Sequence, residues 1–95
     1  DRERLHQRYM EALNRLIALL QHQQQYPQAI RYGQLLLQAD PLRESTYQVL
    51  IQLHHQNGDR AAAIQSYHQC MQVLQDELGI DPSTTTQQIY QTLLQ

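Results

Sequence analysis

The stretch GDRAAAIQSYHQCMQVLQDELGIDPS, residues 58–83, decides the fold. Gly58-Asp59 reads as a turn followed by a helix cap, because the Asp59 carboxylate can accept from the free N–H groups of a first helical turn. From Arg60 to Leu78, the residues Ala63, Tyr67, Cys70, Leu74 and Leu78 recur at alternating spacings of four and three, with Ile64 and Met71 alongside. That is the stripe of an amphipathic helix. Gly79 stands where a left-handed residue costs least, so the helix stops there. Asp81-Pro82-Ser83 then opens another helix, over about Thr84 to Leu94, capped by Ser83 and presenting Ile89, Tyr90, Leu93 and Leu94.

Upstream, the same periodicity predicts three more helices. The first runs from Arg2 to about His22 with Leu5, Tyr9, Leu13, Leu16, Ile17 and Leu20 on one face. A second runs from Tyr26 or Pro27 to Ala39, with Pro27 tolerated in a first turn and Ala29, Ile30, Gly33, Leu36 and Leu37 facing inward. The third, from about Leu42 to Gln56, carries Leu42, Tyr47, Leu50, Ile51 and His54. Asp40-Pro41 and Asn57-Gly58 separate these segments. Ala29-Ile30 recurs as Ala63-Ile64, Leu16-Ile17 as Leu50-Ile51, and Leu19 as Leu53, in each case 34 positions later. This is the period of the tetratricopeptide helix-turn-helix repeat. Helix four runs about two turns past the repeat, and helix five covers the open end, as a solenoid requires. The fold class is therefore all-α: a tetratricopeptide-like array of about five helices with a C-terminal capping helix, one domain over residues 1–95.

Composition excludes several classes of function. The net charge is −2, all seven basic residues are Arg, and Arg2, Arg4, Arg8 and Arg15 are interleaved with Asp1, Glu3 and Glu11. Phosphate-backbone binding takes a concentrated cationic surface, so this domain is not expected to bind DNA by itself. No apolar run approaches a membrane span. The single Cys rules out an internal disulfide and suits a reducing compartment, so the expected location is cytoplasmic. His54 and His55 point to different helix sides, and His68 and Cys70 are two apart, so neither pair converges on a metal ion. Cys70 is expected as a buried, inert thiol, and Tyr9, Tyr47, Tyr67 and Tyr90 as the core aromatics. No Ser–His–acid set, phosphate loop or paired-carboxylate spacing stands out. No catalytic residue, cofactor or metal is expected.

Asp40-Pro41-Leu42-Arg43-Glu44, Asn57-Gly58-Asp59-Arg60, a helix with Tyr67 and Cys70, Glu77-Leu78-Gly79-Ile80-Asp81-Pro82-Ser83, and Ile89-Tyr90 follow one another in order. The whole resembles the bacterial transcriptional activator domain. The resemblance covers nearly the entire chain and is tightest from Tyr26 to Leu94. Thr84-Thr85 stands where Pro-Glu often follows in that family. The resemblance implies a tetratricopeptide-like module placed after a winged-helix DNA-binding domain in regulators of the antibiotic-regulatory type, sometimes beside nucleotide-binding or sensor domains. It also implies a role in self-association and contact with other proteins, including the transcription machinery. The chain lacks an initiator Met and starts inside a helical pattern, so it is expected to be a piece of a longer regulator whose other domains contact DNA. The alternatives are a generic tetratricopeptide scaffold and an accessory domain of a multidomain signalling ATPase.

In a solenoid the first helix of each repeat lines the concave side. That places Glu11, Asn14, Gln21 and His22 of the first copy, and Ser45, Gln48, Gln52, His55 and Gln56 of the second, along one groove. Asn14, Gln21, Gln48, Gln52 and His55 are the candidate partner-binding residues, since an amide-lined groove suits an extended peptide or a partner helix. Solvated helix faces would show the same residues. The outer side of helix five and the exposed end of helix one, where truncation or self-association would leave residues such as Leu5 without cover, are a second, apolar candidate surface.

Overall fold

A computed structural model describes all 95 residues, Asp1–Gln95. Five helices follow one another with no strand: α1 (Arg2–His22), α2 (Tyr26–Ala39), α3 (Glu44–Gln56), α4 (Arg60–Leu78) and α5 (Thr84–Leu94). Each packs on its neighbour, and α5 lies against both α3 and α4. The result is a slab, 43 × 36 × 17 Å.

Local chemistry sets the boundaries. Asp59 caps α4 by accepting from the Ala62 N–H at 3.1 Å, and Ser83 caps α5 through the Thr86 N–H at 3.3 Å. Gly79 ends α4 in the left-handed region, φ 65°. α3 begins at Glu44, two residues later than the apolar pattern predicts. Pro41 holds Asp40 extended, and Asp40 to Arg43 form a turn closed by the Arg43 N–H on the Asp40 carbonyl at 3.2 Å and by an ion pair at 3.3 Å. Leu42 therefore lies in the turn, exposed.

The two helix hairpins repeat bond for bond. Gln25 N–H donates to Leu20 O at 2.8 Å, and Asp59 N–H to His54 O at 2.9 Å; Gln24 and Gly58 both donate three residues back at 3.0 Å. Gln24 takes the position that Gly58 takes in the second copy, and both have positive φ, 61° and 78°.

The core is layered to match. Met10, Leu13, Ile17 and Leu20 of α1 bury with Ala29, Ile30 and Leu36 of α2 and with Leu50 and Leu53 of α3. Ile51, Ala63, Tyr67 and Leu93 join α3, α4 and α5; Tyr47, Cys70 and Leu74 make a third cluster. Tyr47 meets its polar requirement by donating to the Pro41 carbonyl at 2.9 Å. Leu5 and Tyr9 lie outside the core, at 65% and 48% exposure. α1 is 21 residues long and α2 only 14, so the first turns of α1 extend past their partner. Met10 and Leu53 are buried although the predicted stripes omit them.

Candidate functional site

The surface that combines the most polar chemistry with an apolar floor is the seam between α3 and α5. Glu44, Gln48, Gln52 and His55 recur along α3 at helical spacing, so all four lie toward α5. The first two fasten it. Glu44 Oε2 accepts from the Ser83 N–H at 2.8 Å and from the Thr86 hydroxyl, and Gln48 Nε2 donates to Thr86 Oγ1 at 2.8 Å. Burial raises the Glu44 carboxyl pKa, but the bonds from Thr86 and Ser83 outweigh it and hold the group below its ordinary range. Beneath, Tyr67 and Tyr90 stack at 3.8 Å between ring centres, with His68 edge-on to both.

Beyond that fastening the two helices leave a cleft of about 340 Å³. Gln52 and His55 form its α3 wall, Thr85, Gln88 and Thr92 its α5 wall, and Ile51, Ile89 and Leu93 its apolar lining. No Arg, Lys, Asp or Glu side chain lines it. Its donors and acceptors are amides, hydroxyls and one imidazole.

The five sequence-predicted groove residues thus take different places. Gln52 and His55 line the cleft; Gln48 adjoins it but is committed to Thr86. Asn14 bonds back to the Met10 carbonyl of its own helix at 3.0 Å. Gln21 reaches Gln56 at 2.6 Å, which ties α1 to α3 across the repeat. Thr85, Gln88 and Thr92 were not among the candidates because α5 reads as a cap in the sequence. Their spacing of three and four was the available signal. Elsewhere, His54 is half-buried, and burial lowers its pKa against the pull of Asp59. Cys70 is fully buried, and burial pushes its thiol up to about 11. No three His, Cys, Asp or Glu side chains gather as metal ligands would, and no helix is long and apolar enough to cross a membrane.

The Glu44 contact also accounts for the order of the sequence motifs. Asp40-Pro41-Leu42-Arg43-Glu44 ends in the carboxylate that receives Asp81-Pro82-Ser83 and the helix after it, so each motif needs the other. The family model of the bacterial transcriptional activator domain matches residues 1–94. The chain belongs to this family. Among curated relatives, this activator domain is 34% identical over 59 residues to the transcriptional regulatory protein MoaR1 of Mycobacterium tuberculosis, covering 62% of this chain and 19% of that protein. MoaR1 of Mycobacterium bovis matches equally. Over 60 residues it is 37% identical to the regulatory protein AfsR of Streptomyces coelicolor, covering 63% of this chain and 6% of AfsR. The matched regions thus span about a fifth of MoaR1 and a far smaller share of AfsR. No solved structure matches the chain.

Proposed function

We propose that this activator domain is a non-enzymatic, cytoplasmic protein-binding module of a bacterial transcriptional regulator, and that the α3–α5 cleft takes a segment of its protein partner. The cleft carries this reading. Neutral amides and hydroxyls over an apolar floor complement a peptide main chain with a small apolar side chain, whereas a site for phosphate or DNA would need cations that the cleft lacks. Gln52, His55 and Gln88 are the contact residues. The partner is the transcription machinery or a second copy of the regulator, and DNA is held by other parts of the regulator.

The test separates activation from DNA binding. Gln52→Ala, Gln88→Ala and His55→Ala, in the whole regulator, should lower transcription from its promoter while leaving promoter affinity unchanged. Variants that activate as well as the parent would remove the cleft from the mechanism. Salt-sensitive, sub-micromolar DNA binding by the 95-residue chain alone would overturn the division of roles.

A further inference from the structure

Helix α4 outruns its counterpart in the first hairpin. The two begin at equivalent places, Tyr26 and Arg60, 34 positions apart, but α2 has 14 residues and α4 has 19. Past Leu74 the added turn buries nothing: Gln75, Asp76, Glu77 and Leu78 are exposed. Gly79 then turns the chain back, and the Ile80 N–H donates to the Leu74 carbonyl at 3.3 Å. That return sets Asp81 beside Met71, Gln72 and Gln75, around a hollow of about 190 Å³.

The surroundings of the hollow are apolar where an outer helix face is ordinarily polar. Met71 and Leu78 stand two turns apart on one side of α4, and Ile80 follows them. They are 39%, 52% and 48% exposed, and none joins a buried cluster. The repeat shows how such a position is covered. Leu37, 34 positions before Met71, is half-buried, packed against Tyr47, Cys70 and Leu74 of the next hairpin. After α4 comes α5 alone, which lies against Ala63 and Tyr67 nearer the start of α4 and leaves Met71 uncovered.

Charge narrows the occupant. From Ala61 to Gln95 there is no Arg or Lys, and the acidic residues are Asp76, Glu77 and Asp81. Asp76 accepts from Gln72 Nε2 at 2.9 Å, but none of the three is ion-paired. They gather at the C-terminus of α4, where the backbone dipole is itself negative and no basic residue answers it. The apolar surface thus lies in an uncompensated negative field, which a cationic partner relieves and an acidic one worsens. A second copy is a poor occupant. Its Arg residues all lie at or before Arg60, with four of them on α1 at the opposite end of the array. The contact would join unlike faces and lead to rings or open chains in place of a two-fold dimer.

We propose that the end of α4, from Met71 to Asp81, docks a basic amphipathic helix of a protein partner. Its apolar side chains cover Met71, Leu78 and Ile80, and an Arg or Lys side chain enters the hollow at Asp81. A helix fits because Met71 and Leu78, about 10 Å apart along α4, match the i, i+7 spacing of an apolar stripe. This surface shares no residue with the α3–α5 cleft, so the activator domain offers two contacts of different chemistry, one neutral and one cation-seeking.

Nitrogen-15 NMR titrations of the 95-residue chain test this with synthetic peptides of about 18 residues, roughly five helical turns. The probes are an amphipathic Leu–Arg helix, a scrambled peptide of the same composition, and a Leu–Glu helix of the same pattern. The Leu–Arg helix should produce saturable shifts centred on residues 71–81. The scrambled peptide should bind at least about tenfold more weakly, and the Leu–Glu helix should leave the region unshifted. Leu78→Gln and Asp81→Asn alter exposed side chains and should each weaken the Leu–Arg helix about threefold to tenfold, with the amide spectrum otherwise retained. Gln88→Ala should leave its binding unchanged, which separates this surface from the cleft. Shifts centred on α1 or the cleft, equal binding of the scrambled peptide, or undiminished binding by both variants would overturn the proposal. So would association of the chain with itself that Leu78→Gln abolishes, which would make a second copy the occupant.

Discussion

Glu44, at the first turn of α3, accepts from the backbone N–H of Ser83, 39 positions downstream, at 2.8 Å, so the capping helix is itself anchored by a side chain from the middle of the array. The Thr86 hydroxyl donates to the same oxygen and is fully buried. Glu44→Ala should cost about 1–3 kcal/mol, because Ser83 and Thr86 would each lose an acceptor. The loss should show as faster amide exchange concentrated in α5, with α1 and α2 unchanged.

The same contact makes α5 acid-sensitive. The Glu44 carboxyl is held below its ordinary value of 4.5 in the folded chain, so its contribution is fully present above the unfolded-state value and fades as pH falls through the lower folded one. Protection of the α5 amides should therefore decline as the pH falls below the ordinary carboxyl value of 4.5 in the parent chain. Glu44→Gln should start from a lower plateau and decline less. Parallel profiles for the two proteins would show that another carboxylate controls the transition.

Gln24 and Gly58 occupy the same turn position with φ of 61° and 78°. Only the glycine adopts that conformation without a side-chain penalty. Gln24→Gly should raise stability by up to about 1 kcal/mol, and Gly58→Gln should lower it by a similar amount. No atom lies within 4 Å of a Cβ at Gly58, so the second change isolates the backbone cost. Paired urea titrations would measure both, and equal stability of the two variants and the parent would contradict the assignment.

Gly33 faces a different constraint, since its conformation is helical and its neighbour is close. A Cβ there meets Leu50 Cδ2 at 2.8 Å. Gly33→Val should destabilise by about 2–3 kcal/mol as the α2–α3 layer is forced apart. Combining it with Leu50→Ala should cost less than the sum of the single changes. Strict additivity in that cycle would mean that the two positions do not touch.

Cys70 is buried with its thiol raised to about 11, so the native chain should resist thiol reagents near neutral pH and react only on unfolding. Labelling rates measured against denaturant should follow the unfolding transition. Rapid labelling of the native state would place the thiol at the surface.

The sequence by itself determined the five helices, three of their start residues and a fourth to within one position, the caps at Asp59, Ser83 and Gly79, and the repeat. These follow from periodicity and from chemistry within a few residues, which the chain carries locally whatever its tertiary surroundings. It also carried the family, through motifs whose order is written along the chain. Only the tertiary structure decided which apolar residues are core. Leu16 and Leu50, or Leu19 and Leu53, look alike in sequence, and their burial differs because a helix lies over one pair and not over the other. The same holds for the polar groups. Gln48 and Gln52 are chemically identical and one turn apart, yet one is fixed to Thr86 and the other lines the cleft, because the first turn of α5 lies within hydrogen-bonding reach of α3 while the two helices leave a gap beyond it.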